Sequence, residues 1–331
     1  MTTIPQCVFV SGANGFIGRA VVARLQAAGI AVRLGVRRRL AFADPAETVV
    51  MGDLPALEPN WEAALSGCDS LVHAAGIAHQ AEPKDAAGRA RLFAVNAEGA
   101  ARVAEAARRA GLRRVVLVSS AVVHGRSAAE GLMETHALAP ENTYAASKRA
   151  AEQAMREVLA HSATALTIIR PVAVYGPGCQ GNLPRLMRLI QTGLPLPFGS
   201  LRNRRSFLAV EALAELVCLA LRQPEAANET FLAADAAPIA TPELIRALAE
   251  GLGKPARLLA CPPGLLHGAA ALLGRLDEMR SLTASFWVRS EKAQQVLGWQ
   301  PPGSSRPGLI RTAQVFRVVP HALGRNSEPA R

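Results

Sequence analysis

The chain has 331 residues, half of them hydrophobic, and a formal net charge of +11. That length and apolar content fit one α/β domain with a smaller second lobe, not three domains. Aromatic residues make up only 4% and the arginines are spread along the chain, which excludes a stacking groove for single-stranded nucleic acid and points away from nucleic-acid binding despite the basic balance.

The first strand is expected at Cys7–Ser11, close enough to Met1 to leave no room for a signal peptide. No apolar run is long enough to cross a bilayer, so stable membrane insertion is not expected and the chain reads as cytoplasmic. Further strands are expected at Ala31–Gly35, Thr48–Met51, Ser70–Ala74, Arg114–Ser119 and Thr167–Arg170. Helical patterns alternate with them at Phe16–Ala28, Trp61–Leu65, Arg89–Ala110 and Tyr144–His161. This alternation predicts a Rossmann-type, doubly wound parallel sheet with helices on both faces. Proline and glycine become dense between Tyr175 and Gly199, marking a loop-rich region, and helices return at Leu183–Gln191, Val210–Leu221 and Pro242–Leu252. The expected division is a dinucleotide-binding domain over 1–171, with segments near 207–234 returning to it, a C-terminal substrate lobe over 172–318, and a frayed tail over 319–331. The stretch Leu265–Leu273, interrupted by His267 and Gly268, reads as a core helix, with a membrane surface as the other reading. Cys7, Cys68, Cys179, Cys218 and Cys261 stand singly without a CxxC pair; they read as core residues of a reduced protein, and no metal site is expected.

Two segments carry chemistry. Ser11-Gly12-Ala13-Asn14-Gly15-Phe16-Ile17-Gly18 joins the first strand to the first helix. Gly12 permits the tight turn, Gly15 lets backbone amides approach a pyrophosphate, and Gly18 allows the helix to pack closely on the strand. The second segment is Tyr144-Ala-Ala-Ser-Lys148. On a helix, Tyr144 and Lys148 share a face, and a nearby ammonium favours the phenolate of a tyrosine that otherwise titrates near ~10. Val115-Val-Leu-Val-Ser-Ser120 reads as a buried strand ending in two hydroxyls, at the sheet end where ligands bind in this architecture.

Together these motifs resemble the extended short-chain dehydrogenase/reductases, in the group around UDP-glucose 4-epimerase. The matching pieces include Gly12-x-x-Gly15-x-x-Gly18, Gly52-Asp53-Leu54, His73-Ala-Ala-Gly76, Asn96-Ala-Glu-Gly99, Ser119-Ser120-Ala-Val-Val-His124-Gly125, Tyr144-x-x-x-Lys148, Arg170-Pro171-Val-Ala-Val-Tyr-Gly-Pro-Gly178 and Asn203-Arg-Arg-Ser-Phe207. The resemblance implies a catalytic triad of Ser120, Tyr144 and Lys148. It implies NAD or NADP held by Gly12, Asn14, Gly15, Phe16, Ile17, Gly18, Arg37, Asp53, Leu54, Ala74, Ala75, Gly76, Asn96, Tyr144, Lys148 and Pro171. A UDP-sugar would be contacted by Ser119, Ser120, His124, Tyr144, Asn182 and Arg205. It further implies a homodimer formed through the helices at Arg89–Ala110 and Tyr144–His161. The 4,6-dehydratases of the family place Thr-Asp-Glu where this chain has Ser119-Ser120-Ala121, which points away from that activity. Arg37-Arg38-Arg39 stands where NAD-dependent members commonly carry an acidic residue, a lean toward NADP. The implied function is hydride transfer at C4 of a UDP-hexose or UDP-N-acetylhexosamine, as 4-epimerase or 4-ketoreductase, serving surface polysaccharide. The alternatives are a steroid- or flavonoid-type alcohol dehydrogenase of the same superfamily and a non-catalytic cofactor sensor.

Overall fold

The computed structural model describes residues 4–38, 47–52, 60–78, 82–272, 274 and 276–318. In chain order the elements are β1 (Cys7–Ser11), α1 (Phe16–Ala27), β2 (Ala31–Val36), β3 (Thr48–Val50), α2 (Trp61–Leu65), β4 (Ser70–His73), α3 (Ala86–Phe93), α4 (Gly99–Arg109), β5 (Arg114–Val118), α5 (Thr143–Leu159), β6 (Ala165–Pro171) and β7 (Ala173–Tyr175). They continue with α6 (Asn182–Gln191), β8 (Phe207–Ala209), α7 (Val210–Arg222), β9 (Thr230–Ala233), α8 (Thr241–Leu252), α9 (Pro263–Leu272), α10 (Leu276–Thr283), α11 (Glu291–Leu297) and α12 (Arg306–Val318).

Seven strands form one parallel sheet in the order β3-β2-β1-β4-β5-β6-β9. The fold is the Rossmann-type α/β sheet expected from the alternation of strands and helices. The chain winds outward from β1 in one direction and from β4 in the other, so the β1/β4 boundary is the switch point where a crevice opens. Ser11 and His73 face each other in register at its carboxyl ends. Helices cover both faces, and each layer has its own core. Val21 and Leu25 of α1 pack with Leu213 and Val217 of α7 and with Trp299 on one side. Val103 and Ala107 of α4 and Met155 of α5 cover Leu71 and Leu117 on the other. A third core, around Met187, Leu248 and Leu309, lies among α6, α8 and α12. The last two helices approach closely at Gly251, where a Cβ would lie 2.3 Å from the Ile310 carbonyl oxygen.

Three expectations change. Arg89–Ala110 is helical as expected, but the helix starts earlier, at Ala86, and carries a π turn over Ala94–Glu98 between α3 and α4. The Leu265–Leu273 stretch is no core helix, because α9 lies at the surface with Leu265 67% and Leu272 91% exposed. Cys7 and Cys68, distant in sequence, meet with their Sγ atoms 3.1 Å apart at the amino end of the sheet, and burial pushes the Cys68 thiol up to about 12. The segment 319–331 lies outside the described residues.

Candidate active site

The glycine-rich turn closes on itself before α1 begins. Gly12 and Ala13 donate backbone hydrogen bonds to the Gly35 oxygen at 2.8 and 3.2 Å, and Gly15 donates to the Gly12 oxygen at 2.9 Å. Gly12 has φ +73°, and a Cβ there would lie 2.7 Å from the Ala75 nitrogen; one at Gly18 would lie 2.0 Å from the Gly12 oxygen. Both positions therefore exclude any side chain. No side chain caps the first turn of α1, which holds no acidic residue. Its amides are oriented as an anion site at the positive end of the helix dipole. Asn14 is exposed on the turn, and Phe16 and Ile17 are half-buried beside it.

β4 delivers Ala74, Ala75 and Gly76 to the opposite wall of the crevice. The π turn swings Asn96 toward them. Its side-chain oxygen accepts from the Ile77 amide at 2.8 Å, and its Nδ2 donates to the Ile77 oxygen at 3.1 Å and to Ser147 Oγ at 2.9 Å. Ser147 in turn donates to the Tyr144 carbonyl oxygen at 2.8 Å. A Cβ on Gly76 would lie 2.9 Å from Asn96 Oδ1 and 3.4 Å from Lys148 Nζ. The loop after β4, the π turn and the first turns of α5 are thus one hydrogen-bonded unit.

Asn142 caps α5 through a 2.7 Å bond from the Ala145 amide to its side chain. This start places Tyr144 and Lys148 one turn apart on the face toward the crevice. Ser120, at the end of β5, caps the short turn Ala121–His124. The Tyr144 phenol stands above its ordinary range because burial raises it, while a hydrogen bond with the Ser120 hydroxyl lowers it. Lys148 donates to the Val118 oxygen at 3.1 Å and does not account for the phenol's position. Burial lowers Lys148 to about 8, with the Glu152 charge pulling it back up. Burial, and then the Lys148 charge, lowers His73 to about 3. The imidazole is therefore neutral, 2.7 Å from Ser11 Oγ.

Two hydroxyl- and imidazole-bearing residues expected to face substrate are committed inside the protein instead. Ser119 donates to Glu152 Oε1 at 2.6 Å. Arg170 grips the same carboxylate in two bonds, Nε to Oε1 at 2.9 Å and Nη2 to Oε2 at 2.6 Å. Arg170 Nη1 lies 3.0 Å from His124 Nε2. A guanidinium can only donate, so Nε2 accepts, and Nδ1–H donates to the Ala137 oxygen at 3.2 Å. Burial, then the Arg170 charge, holds His124 below its ordinary range, consistent with that neutral tautomer. Both ring nitrogens and the Ser119 hydroxyl thus serve a buried network under the site. The sequence reading missed Glu152 and Ser147; their signal was position, since Glu152 follows Lys148 by four residues and Ser147 follows Tyr144 by three.

Of the remaining expected residues, Arg37 is exposed at the end of β2, and Asp53 and Leu54 lie outside the described residues. Pro171 is buried at the end of β6, and Asn182 is exposed at the start of α6. Arg205 is bracketed by backbone bridges to Ile239 and Phe286. Its Nη1 donates to the Ala284 oxygen at 3.2 Å. Burial, then the charge of Arg126, lowers it to about 10, and no carboxylate is among the groups acting on it. Arg126 follows the short turn that Ser120 caps.

A crevice of this construction, with three close-packed glycine positions and an acid-free first helical turn, fits a dinucleotide. Residues 8–234 match the NAD dependent epimerase/dehydratase family. The chain belongs to that family. NAD(P) is accordingly its cofactor. Among curated relatives, the UDP-glucose 4-epimerase of Vibrio cholerae is 32% identical over 318 residues, covering 95% of this chain and 96% of that protein. A ceramide reductase of Caulobacter vibrioides is 31% identical, covering 94% and 90%. Among solved structures, MoeE5 in complex with UDP-glucose and NAD superposes with a TM-score of 0.76 at 24% identity, covering 94% of this chain and 98% of that one. No helix of the described residues is long and apolar enough to cross a membrane.

Proposed function

We propose that the protein transfers hydride at C4 of a UDP-hexose or UDP-N-acetylhexosamine, as a 4-epimerase or a 4-ketoreductase. What supports the reading is the placement of Tyr144 and Lys148 one turn apart on α5, with Ser120 close enough for its hydroxyl to lower the Tyr144 phenol and Lys148 beside Gly76. In this reading the substrate lobe lies C-terminal to β6, with β8 to β9 returning to the dinucleotide-binding domain. The likeness to the Vibrio cholerae UDP-glucose 4-epimerase over 95% of the chain supports the substrate class.

The bound dinucleotide supplies the hydride acceptor or donor. Gly12, Gly15, Gly18 and the first turn of α1 would hold its diphosphate and Lys148 its nicotinamide half. Asn96, expected to touch the cofactor, is buried and spends its side chain on Ile77 and Ser147, so it braces the wall of the crevice instead. In the oxidative direction the Tyr144 oxygen takes the proton of the C4 hydroxyl as the C4 hydride leaves, and Ser120 shares the hydrogen bond. In the reductive direction the phenol returns that proton to the carbonyl oxygen. Its position above the ordinary range makes it protonated at neutral pH, the state an acid needs. For the oxidative direction, positive charge beside it must stabilise the phenolate. Arg205, a guanidinium with no carboxylate acting on it, is the contact for the nucleotide diphosphate, and Asn182 is its neighbour in role. Arg37, exposed at the end of β2, is the residue that would favour a 2′-phosphate. Dimerisation is assigned to α4 and α5.

A second reading, a reductase of a hydrophobic carbonyl or alcohol, draws on the likeness to a ceramide reductase. It needs no diphosphate clamp, so Arg205→Ala separates the two: a large rise in KM for a UDP-sugar supports the first, and indifference removes it. The nucleotide released on denaturation then divides the first reading. Retained NAD⁺ near one per chain marks the epimerase, and an empty protein preferring NADPH marks the reductase.

A further inference from the structure

From Leu258 to Gly274 the chain carries no Asp, Glu, Lys or Arg, yet this run is at the surface. Leu266 and Ala270 of α9 turn inward, 4% and 3% exposed. Leu265 and Leu272, seven residues apart and so on one side of the helix, turn outward. A helix apolar on both faces has no stable place against water alone. The same surface extends through the loop before α9. Leu196 and Leu258 form a backbone bridge, and the Leu259 amide donates to the Leu196 oxygen at 2.9 Å. Beside that bridge stand Leu194 and Leu259, 62% and 56% exposed.

The segments that carry this ridge are basic, although α10, which packs on α9, brings Asp277 and Glu278 as well as Arg280. Between Val158 and Val210 there is no Asp or Glu, and none between Gly251 and Leu276. The basic residues in those segments include Arg185 and Arg188 on α6 and Lys254 and Arg257 before the ridge, all exposed. Arg257 also donates to the Gly193 oxygen at 3.2 Å, next to Leu194. A second copy of this chain would present the same cations to each other. An anionic lipid surface would complement both the leucines and the arginines.

We propose that α9, with the Leu194 and Leu259 loops, docks this protein peripherally on an anionic lipid surface. The ten residues of α9 span about 15 Å, half the hydrocarbon thickness, so the helix lies in the interface and does not cross it. The docking is a property of this face and does not depend on which substrate the crevice takes.

The test is co-sedimentation of the full chain with phosphatidylcholine vesicles, with and without phosphatidylglycerol. Partition is expected to be about tenfold or more greater with the anionic lipid, and to weaken as salt is raised. Leu265→Glu/Leu272→Glu, at exposed positions, is expected to abolish binding while the melting temperature and NAD(P)H affinity stay unchanged. Arg185→Gln/Arg188→Gln is expected to weaken binding to phosphatidylglycerol alone. Absence of binding by the folded wild-type chain overturns the proposal, as does equal binding to both vesicle types. Conversion of a dimer to a monomer by the leucine variant, with vesicle binding unaltered, would assign the face to a second copy and overturn it equally.

Discussion

Replacing Glu152 by Gln tests the network beneath the site. The Glu152 side chain is fully buried and Arg170 only 5% exposed, with the ion pair at 2.6 Å. Gln keeps an acceptor for Arg170 but removes the charge, leaving a guanidinium in the interior without its counter-ion; Arg156, 3.3 Å from the same carboxylate and half-exposed, loses its partner too but at less cost because water reaches it. Breaking a buried pair on one side costs about 3–5 kcal/mol, and the retained hydrogen bond places Glu152→Gln near the lower end. Urea unfolding reads this as a lower midpoint with unchanged slope. Burial raises the Glu152 carboxyl, but the Arg170 hydrogen bonds and charge outweigh it and hold the group below its ordinary value. A depressed carboxyl stabilises the fold fully above its unfolded pKa of about 4.3, and the contribution is lost as pH falls through the lower folded value. The gap between wild type and variant is therefore widest at neutral pH and closes in acid. Glu152 also holds Lys148 up against burial, at about 8. Cofactor affinity is expected to fall as pH rises through about 8 in the wild type, and at lower pH in the variant. A variant within about 1 kcal/mol of wild type, the usual range of a surface change, and with an unmoved alkaline limb would refute the network's role.

Gly18→Ala places a Cβ 2.0 Å from the Gly12 oxygen, a backbone atom; the turn must open, and isothermal titration should show dinucleotide affinity falling by more than about tenfold, well beyond any general loss of stability. His124→Phe leaves an Arg170 N–H without its acceptor and is expected to cost about 1–3 kcal/mol in urea unfolding. The KM for a UDP-sugar should stay within twofold or so of wild type if the imidazole serves the network and not the substrate.

The strand, the glycine turn and the first helix were legible because each needs local chemistry: an apolar run, backbone approach and an amphipathic face. Tyr144 and Lys148 were legible for the same reason, since helical spacing puts them together. The roles of Ser119 and His124 were not, because their partners are distant. Ser119 reaches Glu152 33 residues on, and His124 meets Arg170 46 residues on; nothing local in Ser-Ser or Val-His-Gly distinguishes an inward hydroxyl from an outward one. The π turn at Ala94–Glu98 was hidden because one extra residue in an alanine-rich run barely disturbs its period, though it is what brings Asn96 to Ile77. The expectation that Leu265–Leu273 is core failed because uniform apolarity cannot say which side faces the protein.

Tyr144→Phe is the most direct measurement of the central claim. It removes one oxygen, keeps the ring and leaves Ser120 and Lys148 in place. With a UDP-hexose or the corresponding 4-keto sugar and NAD(P), kcat is expected to fall by about 10²-fold or more, the contribution of a general acid or base. Binding of NAD(P)H and of the UDP-sugar should stay near wild type. Turnover by the folded variant at an undiminished rate would contradict proton transfer at the Tyr144 oxygen, and with it the account of the site.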